Sequence, residues 1–168
     1  MTCTLVAFAT KHGGTAEIAV AIGDGLRETG RNVDVLDAGE VRDIGPYDEV
    51  VVGSAVYMGK WQRDAVQFLE RHERALTRVP TWLFSSGPTG GSADADAKLA
   101  TVRAVSTRAP ALPEVARLAR RIGALGHATF PGRVGEEVNG LLERWLPRGD
   151  WRDMGAVREW GRSLAAQP

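Results

Sequence analysis

Between an apolar run, Thr4 to Ala9, and a stretch of helical periodicity lies Ala9-Thr10-Lys11-His12-Gly13-Gly14-Thr15-Ala16-Glu17. These residue types suit the holding of an anion. A strand that feeds a short turn into a helix leaves the first helical N–H groups without intrahelical partners, and the helix dipole adds partial positive charge there. Gly13 and Gly14 let the backbone approach a phosphate and adopt positive φ. Thr10 and Thr15 add hydroxyls and Lys11 adds a charge. The loop lacks the G-x-x-x-x-G-K-[ST] of a Walker loop and the G-x-G-x-x-G of a dinucleotide site. An ordinary strand-to-helix turn rich in small residues has the same composition, so the loop alone leaves both readings open.

Two later stretches share its character. Gly53-Ser54-Ala55-Val56-Tyr57-Met58-Gly59-Lys60-Trp61 and Ser85-Ser86-Gly87-Pro88-Thr89-Gly90-Gly91 each follow an apolar run and expose backbone donors and acceptors. Tyr57, Met58 and Trp61 supply flat or soft side chains, as the face of a planar heteroaromatic ring requires. Tyr57 and Trp61 equally suit a cap over the end of a sheet. His12 reads as a loop residue, and His72 and His127 as structural. No set of His, Asp or Glu has metal-ligand spacing, no Gly-x-Ser-x-Gly elbow occurs, and no catalytic side chain is singled out.

The elements that position these stretches follow from periodicity. Thr15 to Thr29 reads as a helix with Ile18, Ile22 and Leu26 inward, ended by Gly30. Its Gly23 and Gly25 suit close packing on a sheet. Asn32 to Asp37 alternates and reads as a second strand near an edge, because Asp34 needs water. Asp37 to Asp48 reads as a short polar helix or turn region with Val41 and Ile44 inward. Glu49 to Ser54 reads as a third strand, central because Val50-Val51-Val52 is apolar on both faces. Gln62 to Leu76 reads as a helix with Ala65, Phe68, Leu69, His72 and Leu76 on one stripe. Thr81 to Ser86 is a fourth strand, Pro88 to Ala97 a loop, and Pro113 to Gly123 a helix. His127 to Val134 is a fifth strand, held to an edge or a bulge by Pro131. Gly135 to Leu146 reads as an amphipathic helix and Trp151 to Ala165 as the last helix.

Strands alternating with helices predict an α/β fold, a doubly wound five-stranded parallel sheet with helices on both faces. The flavodoxin-like order 2-1-3-4-5 places ligands at the carboxyl ends of the strands, between the first and third. The 168 residues fit one domain, residues 1–168. Zero formal net charge gives no global field for nucleic acid, so no nucleic-acid partner is expected. The Arg-rich last third reads as a solvated face. A single cysteine, Cys3, excludes an internal disulfide framework. Met1 to Ala9 lacks a basic leader region and no apolar run is long enough to span a bilayer, so a cytoplasmic location is expected. The 135–146 helix reads as fold packing, with a protein partner, a dimer mate or peripheral membrane contact as alternatives.

Three loops in register resemble one family. Thr10-x-x-Gly13-x-Thr15 after the first strand resembles the FMN phosphate loop of flavodoxins, usually Ser/Thr-x-Thr-Gly-x-Thr, with His12 where the family often has Thr. Within flavodoxins the chain looks most like the branch with menaquinone-dependent protoporphyrinogen oxidase and related flavodoxin-domain proteins. It shares with that branch the pattern at Gly53 to Trp61 and the ending Gly149-Asp150-Trp151-Arg152-Asp153. The resemblance implies FMN. Thr10, Lys11, His12, Gly13, Gly14 and Thr15 would then hold its phosphate. Ser54, Ala55, Val56, Tyr57, Met58 and Gly59 would line one side of the ring, and Ser85, Ser86, Gly87 and Pro88 would meet its pyrimidine edge. The Met58-Gly59 peptide is the candidate to face the flavin N5. The chain departs from electron-carrier flavodoxins in having no aromatic residue between Ser85 and Thr107, and in placing Lys60 and Arg63 where they carry acidic residues. An open, less acidic face suits a flat organic substrate, such as a quinone or porphyrinogen, and two-electron oxidoreductase chemistry. The alternatives are an electron carrier that docks redox proteins and a flavin-free interaction module.

Overall fold

Among the described residues, six of the eight strands build one sheet, and its interior is set by strict alternation. In a computed structural model, which describes residues 1–87, 112–134, 149–150 and 152–167, the strands are β1 (Cys3–Ala9), β2 (Asn32–Asp37), β3 (Glu49–Tyr57), β4 (Lys60–Trp61), β5 (Thr81–Gly87), β6 (Gly126–Pro131), β7 (Arg133–Val134) and β8 (Gly149–Asp150). The parallel order is β2-β1-β3-β5-β6, with β4 paired antiparallel to the end of β3. Leaving β4 aside, this is the expected 2-1-3-4-5. The separate pair β7–β8 sits outside the sheet.

The helices are α1 (Gly14–Arg27), α2 (Arg63–Arg71), α3 (Glu73–Leu76), α4 (Pro113–Ile122) and α5 (Met154–Leu164). Leu5, Ala7, Val50, Val52 and Leu83 point to one face of the sheet and meet Phe68, Leu69, Leu76, Leu118 and Ile122 of α2 to α4. Val6, Val51, Trp82 and Phe84 point to the other and meet Ile18, Ile22, Leu26, Val157, Trp160 and Leu164 of α1 and α5. A strand flanked by helices on both sides must be apolar at every position, which is why the Val50-Val51-Val52 run is central. The cross-strand register Val6–Val51–Trp82 carries that face through three strands.

Two glycines seat α5 on α1. A Cβ on Gly25 would lie 2.1 Å from the Arg158 carbonyl oxygen, and one on Gly161 2.5 Å from that of Ile22. Gly25 therefore serves helix–helix packing. Gly23 serves the sheet, since its Cβ would meet Val35 at 2.8 Å.

Several boundaries differ from the sequence expectation for local reasons. α1 runs from Gly14 to Arg27 and not from Thr15 to Thr29, because Gly13, at φ 82°, already turns the chain into it. Residues 38–48 form turns without a helix, with Val41 and Ile44 buried as expected. The third strand runs three residues past Ser54, because Val56 and Tyr57 find antiparallel partners in Trp61 and Lys60. The helix expected over Gln62–Leu76 breaks at His72, whose φ of −100° and ψ of 10° end α2 and begin α3. The break leaves His72 against Phe68, ring centroids 4.8 Å apart, and keeps Leu76 buried. The fifth parallel strand stops at Pro131, which lacks an N–H, and Arg133–Val134 turn away to pair with Gly149–Asp150. The last helix starts at Met154, not Trp151, because Asp153 caps it by accepting the Ala156 N–H at 3.0 Å. The expected loop at Pro88–Ala97 and the expected helix at Gly135–Leu146 lie outside the described residues.

Candidate functional site

The parallel order reverses at β1, whose neighbours β2 and β3 lie on opposite sides. The chain leaves β1 through α1 toward one face and reaches α2, beyond β3, on the other. The topological switch point therefore lies at the carboxyl ends of β1 and β3, where open α/β sheets take ligands. The β1–α1 loop, the β3–β4 hairpin and the end of β5 meet there.

The β1–α1 loop is braced from within. Thr10 Oγ1 accepts the Gly13 N–H at 2.9 Å, which tightens the turn. Gly13 has φ 82°, and a Cβ on it would meet nothing within 4 Å. The first intrahelical donors are Ala16 and Glu17, both onto the Gly13 carbonyl. The amides of Gly14 and Thr15 therefore precede the helical ladder and are the natural anion donors. Thr15 is buried, His12 half-buried and Lys11 exposed.

The hairpin brings the second set of residues to the same edge. Met58 and Gly59 both have positive φ, 49° and 72°, the pattern of a two-residue type I′ turn joining Val56–Tyr57 to Lys60–Trp61. Met58 is 73% exposed, so its thioether is free to cover a flat ligand. Lys11 Nζ stands 3.2 Å from the centre of the Tyr57 ring, a cation–π contact that ties the first loop to the hairpin. It occupies one face of that ring, and Tyr57 as a whole is partly exposed.

Behind the edge the side chains are committed to one another. Ser54 Oγ accepts the Gln62 N–H at 2.8 Å and lies 2.8 Å from the Ala55 carbonyl, its own hydrogen-bond acceptor. Trp61 is buried and donates its indole N–H to Ser85 Oγ at 2.8 Å. Ser85 Oγ in turn lies 2.8 Å from His127 Nε2. The Ser54 and Ser85 hydroxyls are thus both engaged within the fold. Ser86 is buried, Gly87 is half-buried, and Ala55 and Val56 are partly exposed beside them. A Cβ on Gly87 would sit 3.0 Å from that of Val56, so the two strand ends are in close contact. Pro88 lies outside the described residues. Burial pulls the His127 pKa down to about 4, so the ring is neutral near pH 7 and joins Ser85 as a hydrogen-bond partner rather than a charge.

The sequence gives neither Arg133 nor Arg152 a place at the site, yet both arrive at the first loop. A Cβ on Gly14 would lie 3.8 Å from Cβ of Arg133. Arg152 reaches the Gly14 carbonyl with Nη1 at 3.3 Å and also pairs with Glu17 and Asp150. His127, which reads as structural in the sequence, reaches the candidate site through its bond to Ser85. The motif Gly149–Asp153 was visible as an ending, but nothing local signalled where it docks.

The comparisons with known proteins fit this arrangement. A protoporphyrinogen IX dehydrogenase (quinone) of Escherichia coli K12 is 30% identical over 86 residues, covering 49% of this chain and 46% of the relative. The chain thus matches less than half the length of the curated relatives. Among solved structures, a flavodoxin from the domain Archaea superposes with a TM-score of 0.67 at 16% identity, covering 98% of this chain and 97% of that one. Flavodoxin 1 from Bacillus cereus gives 0.63 at 17% identity, covering 99% of each. These structures share the fold. A family model described as Flavodoxin domain matches residues 5–134, from β1 through β7, and the chain belongs to the flavodoxin domain family.

Proposed function

We propose that this chain, as a single domain over residues 1–168, binds FMN and works as an oxidoreductase on a flat organic substrate such as a quinone or porphyrinogen. The observation that carries the reading is the convergence of the β1–α1 loop, the β3–β4 hairpin and the β5 end at one edge of the sheet, with Lys11 and Tyr57 joining the first two. The residues fit the group. Gly13 and Gly59 both present positive φ with open space where a Cβ would stand, so backbone can approach a ligand closely.

Thr10 to Thr15 would hold the phosphate through the Gly14 and Thr15 amides, the Thr15 hydroxyl and the Lys11 charge, with His12 completing the loop. Ala55, Val56, Tyr57, Met58 and Gly59 would line the ring, Ser54 contributing its backbone, and Ser85, Ser86, Gly87 and Pro88 would meet its polar edge. When bound, FMN supplies hydride or electron transfer, and the protein supplies position and electrostatics. The exposed Met58 would cover the ring or yield to substrate. Lys60 and Arg63, both exposed, favour negative charge on the reduced ring. The E. coli relative named for protoporphyrinogen IX and quinone supports this substrate class.

The test is the visible absorbance of the purified protein with added FMN. A bound-flavin spectrum, lost in a folded Gly13→Glu/Thr15→Glu variant, is expected. A folded native protein that binds no FMN refutes the reading. The second reading, an electron carrier docking redox proteins, draws on the flavodoxins that superpose along nearly the whole chain. Potentiometric titration separates the two. One two-electron step supports the oxidoreductase, and two well-separated one-electron steps the carrier. Steep salt dependence of electron transfer to a partner protein points the same way as the second result.

A further inference from the structure

We propose that Arg152 is a positioning residue for the phosphate loop, acting from the C-terminal segment in two ways: it holds the Gly14–Thr15 peptide, and it cancels the carboxylate of Glu17. The inference rests on the FMN reading and concerns a residue beyond the matched family region, which ends at residue 134.

The geometry is specific. The Arg152 side chain is only 7% exposed. Its Nε and Nη2 donate to the two oxygens of Asp150 at 2.8 and 2.6 Å, a bidentate pair. That pair holds the Asp150 carboxyl down to a pKa of about 2. The β7–β8 clip places Asp150 opposite Arg133, whose Cβ borders Gly14. With Asp150 as its anchor, Arg152 turns Nη1 to the Gly14 carbonyl at 3.3 Å and to Glu17 Oε2.

The Gly14 carbonyl belongs to the same rigid amide as the Thr15 N–H. In a trans peptide the two point in opposite directions. A guanidinium holding the oxygen on the helix side therefore keeps the N–H aimed out of the helix start, toward the place an anion would take. Glu17 creates the electrostatic need. An acidic residue in the first turn is favourable for the bare helix, but it repels a bound phosphate. Arg152 offsets that repulsion without removing the carboxylate.

The experiment measures FMN and riboflavin dissociation constants for the native protein and three variants, by flavin fluorescence quenching. Riboflavin lacks the phosphate, so the ratio of the two constants reports the phosphate loop alone. Arg152→Gln should weaken FMN by about tenfold, the scale of one charge at a partly buried helix end, and leave riboflavin nearly unchanged. Glu17→Gln in the R152Q background should restore most of the loss, which a merely structural role for Arg152 would not allow. Glu17→Gln alone changes a half-exposed side chain and keeps the fold, and it should tighten FMN relative to riboflavin. If R152Q does not fold, this last variant decides. An unmoved or reversed FMN-to-riboflavin ratio in E17Q overturns the inference, as does a folded R152Q that loses both ligands equally. Native protein that binds neither flavin overturns the FMN reading and this inference with it. Native binding with unmoved ratios overturns this inference alone.

Discussion

Acidification should loosen the site end of the sheet through one side chain, His127. Its ring is shielded by Trp61, at a centroid distance of 5.9 Å, and bonded to Ser85 Oγ at 2.8 Å. Burial lowers its pKa to about 4, against about 6.5 in an unfolded chain. Between those values the unfolded chain takes up a proton that the folded chain refuses. Stability contributed by the neutral ring is therefore complete above pH 6.5 and is lost as the pH falls through the window. The linkage is worth about 2 kcal/mol between pH 8 and pH 5, and about 3 kcal/mol by pH 4. Urea unfolding at pH 8, 6.5 and 5, followed by tryptophan fluorescence, measures it. His127→Gln keeps a polar partner for Ser85 and cannot titrate. The native protein should lose about 2 kcal/mol more than the variant across that range. His72, also lowered mainly by burial, is present in both proteins and cancels. Acid slopes that agree within about 0.5 kcal/mol, the size of an ordinary surface effect, would refute the claim that His127 is held neutral in the fold.

Other expectations follow from the same geometry. Gly53→Ala places a methyl 2.1 Å from the Phe84 ring and should cost about 1–3 kcal/mol in urea unfolding; Phe84→Leu in the same chain should return part of that loss, and strictly additive losses would deny the clash. Met58→Gly removes a side chain held at φ 49° and should stabilise by up to about 1 kcal/mol; a lower urea midpoint would show that the turn carries no strain. Asp153→Ala removes the cap on Ala156 and should cost about 1 kcal/mol, seen as a lower Tm. Asp153→Asn should not lower it comparably.

Much of the fold was legible because local rules and tertiary structure agree. An apolar run such as Val50-Val51-Val52 has only one comfortable place, the middle of a sheet covered on both faces. Pro113 and Gly123 bracket a helix whose start and stop need no distant partner, and Gly123 duly takes φ 68°. The hairpin at Met58-Gly59 was not legible as a hairpin, because Met is a poor type I′ residue and the register that holds it comes from pairing with β4. The break at His72 was equally hidden, since the stripe Phe68, His72, Leu76 continues through it and the ring's partners, Phe68 and the Val41 backbone, are set by the packed structure.

The candidate site divides along the same line. Residue type and spacing make Thr10 to Thr15 a candidate anion loop and Gly53 to Trp61 a candidate second stretch, most of which the structure places in β3 and its hairpin, because glycine freedom, hydroxyls and a following helix are properties of short segments. Which side chains face outward was decided by contacts between segments far apart in sequence. Ser54 and Ser85 read as ligand donors, yet their hydroxyls are taken by Gln62 and by Trp61 and His127. Arg152 read as part of a solvated basic face, yet it reaches Gly14, 138 residues earlier, because β7–β8 and α5 bring it across α1. Sequence by itself determined the alternation of strands and helices and the residue types of the strand-end loops, through periodicity and backbone preference. Tertiary structure decided which polar atoms remain for a ligand, because a hydroxyl or guanidinium is directed by whichever partners the packed elements place beside it.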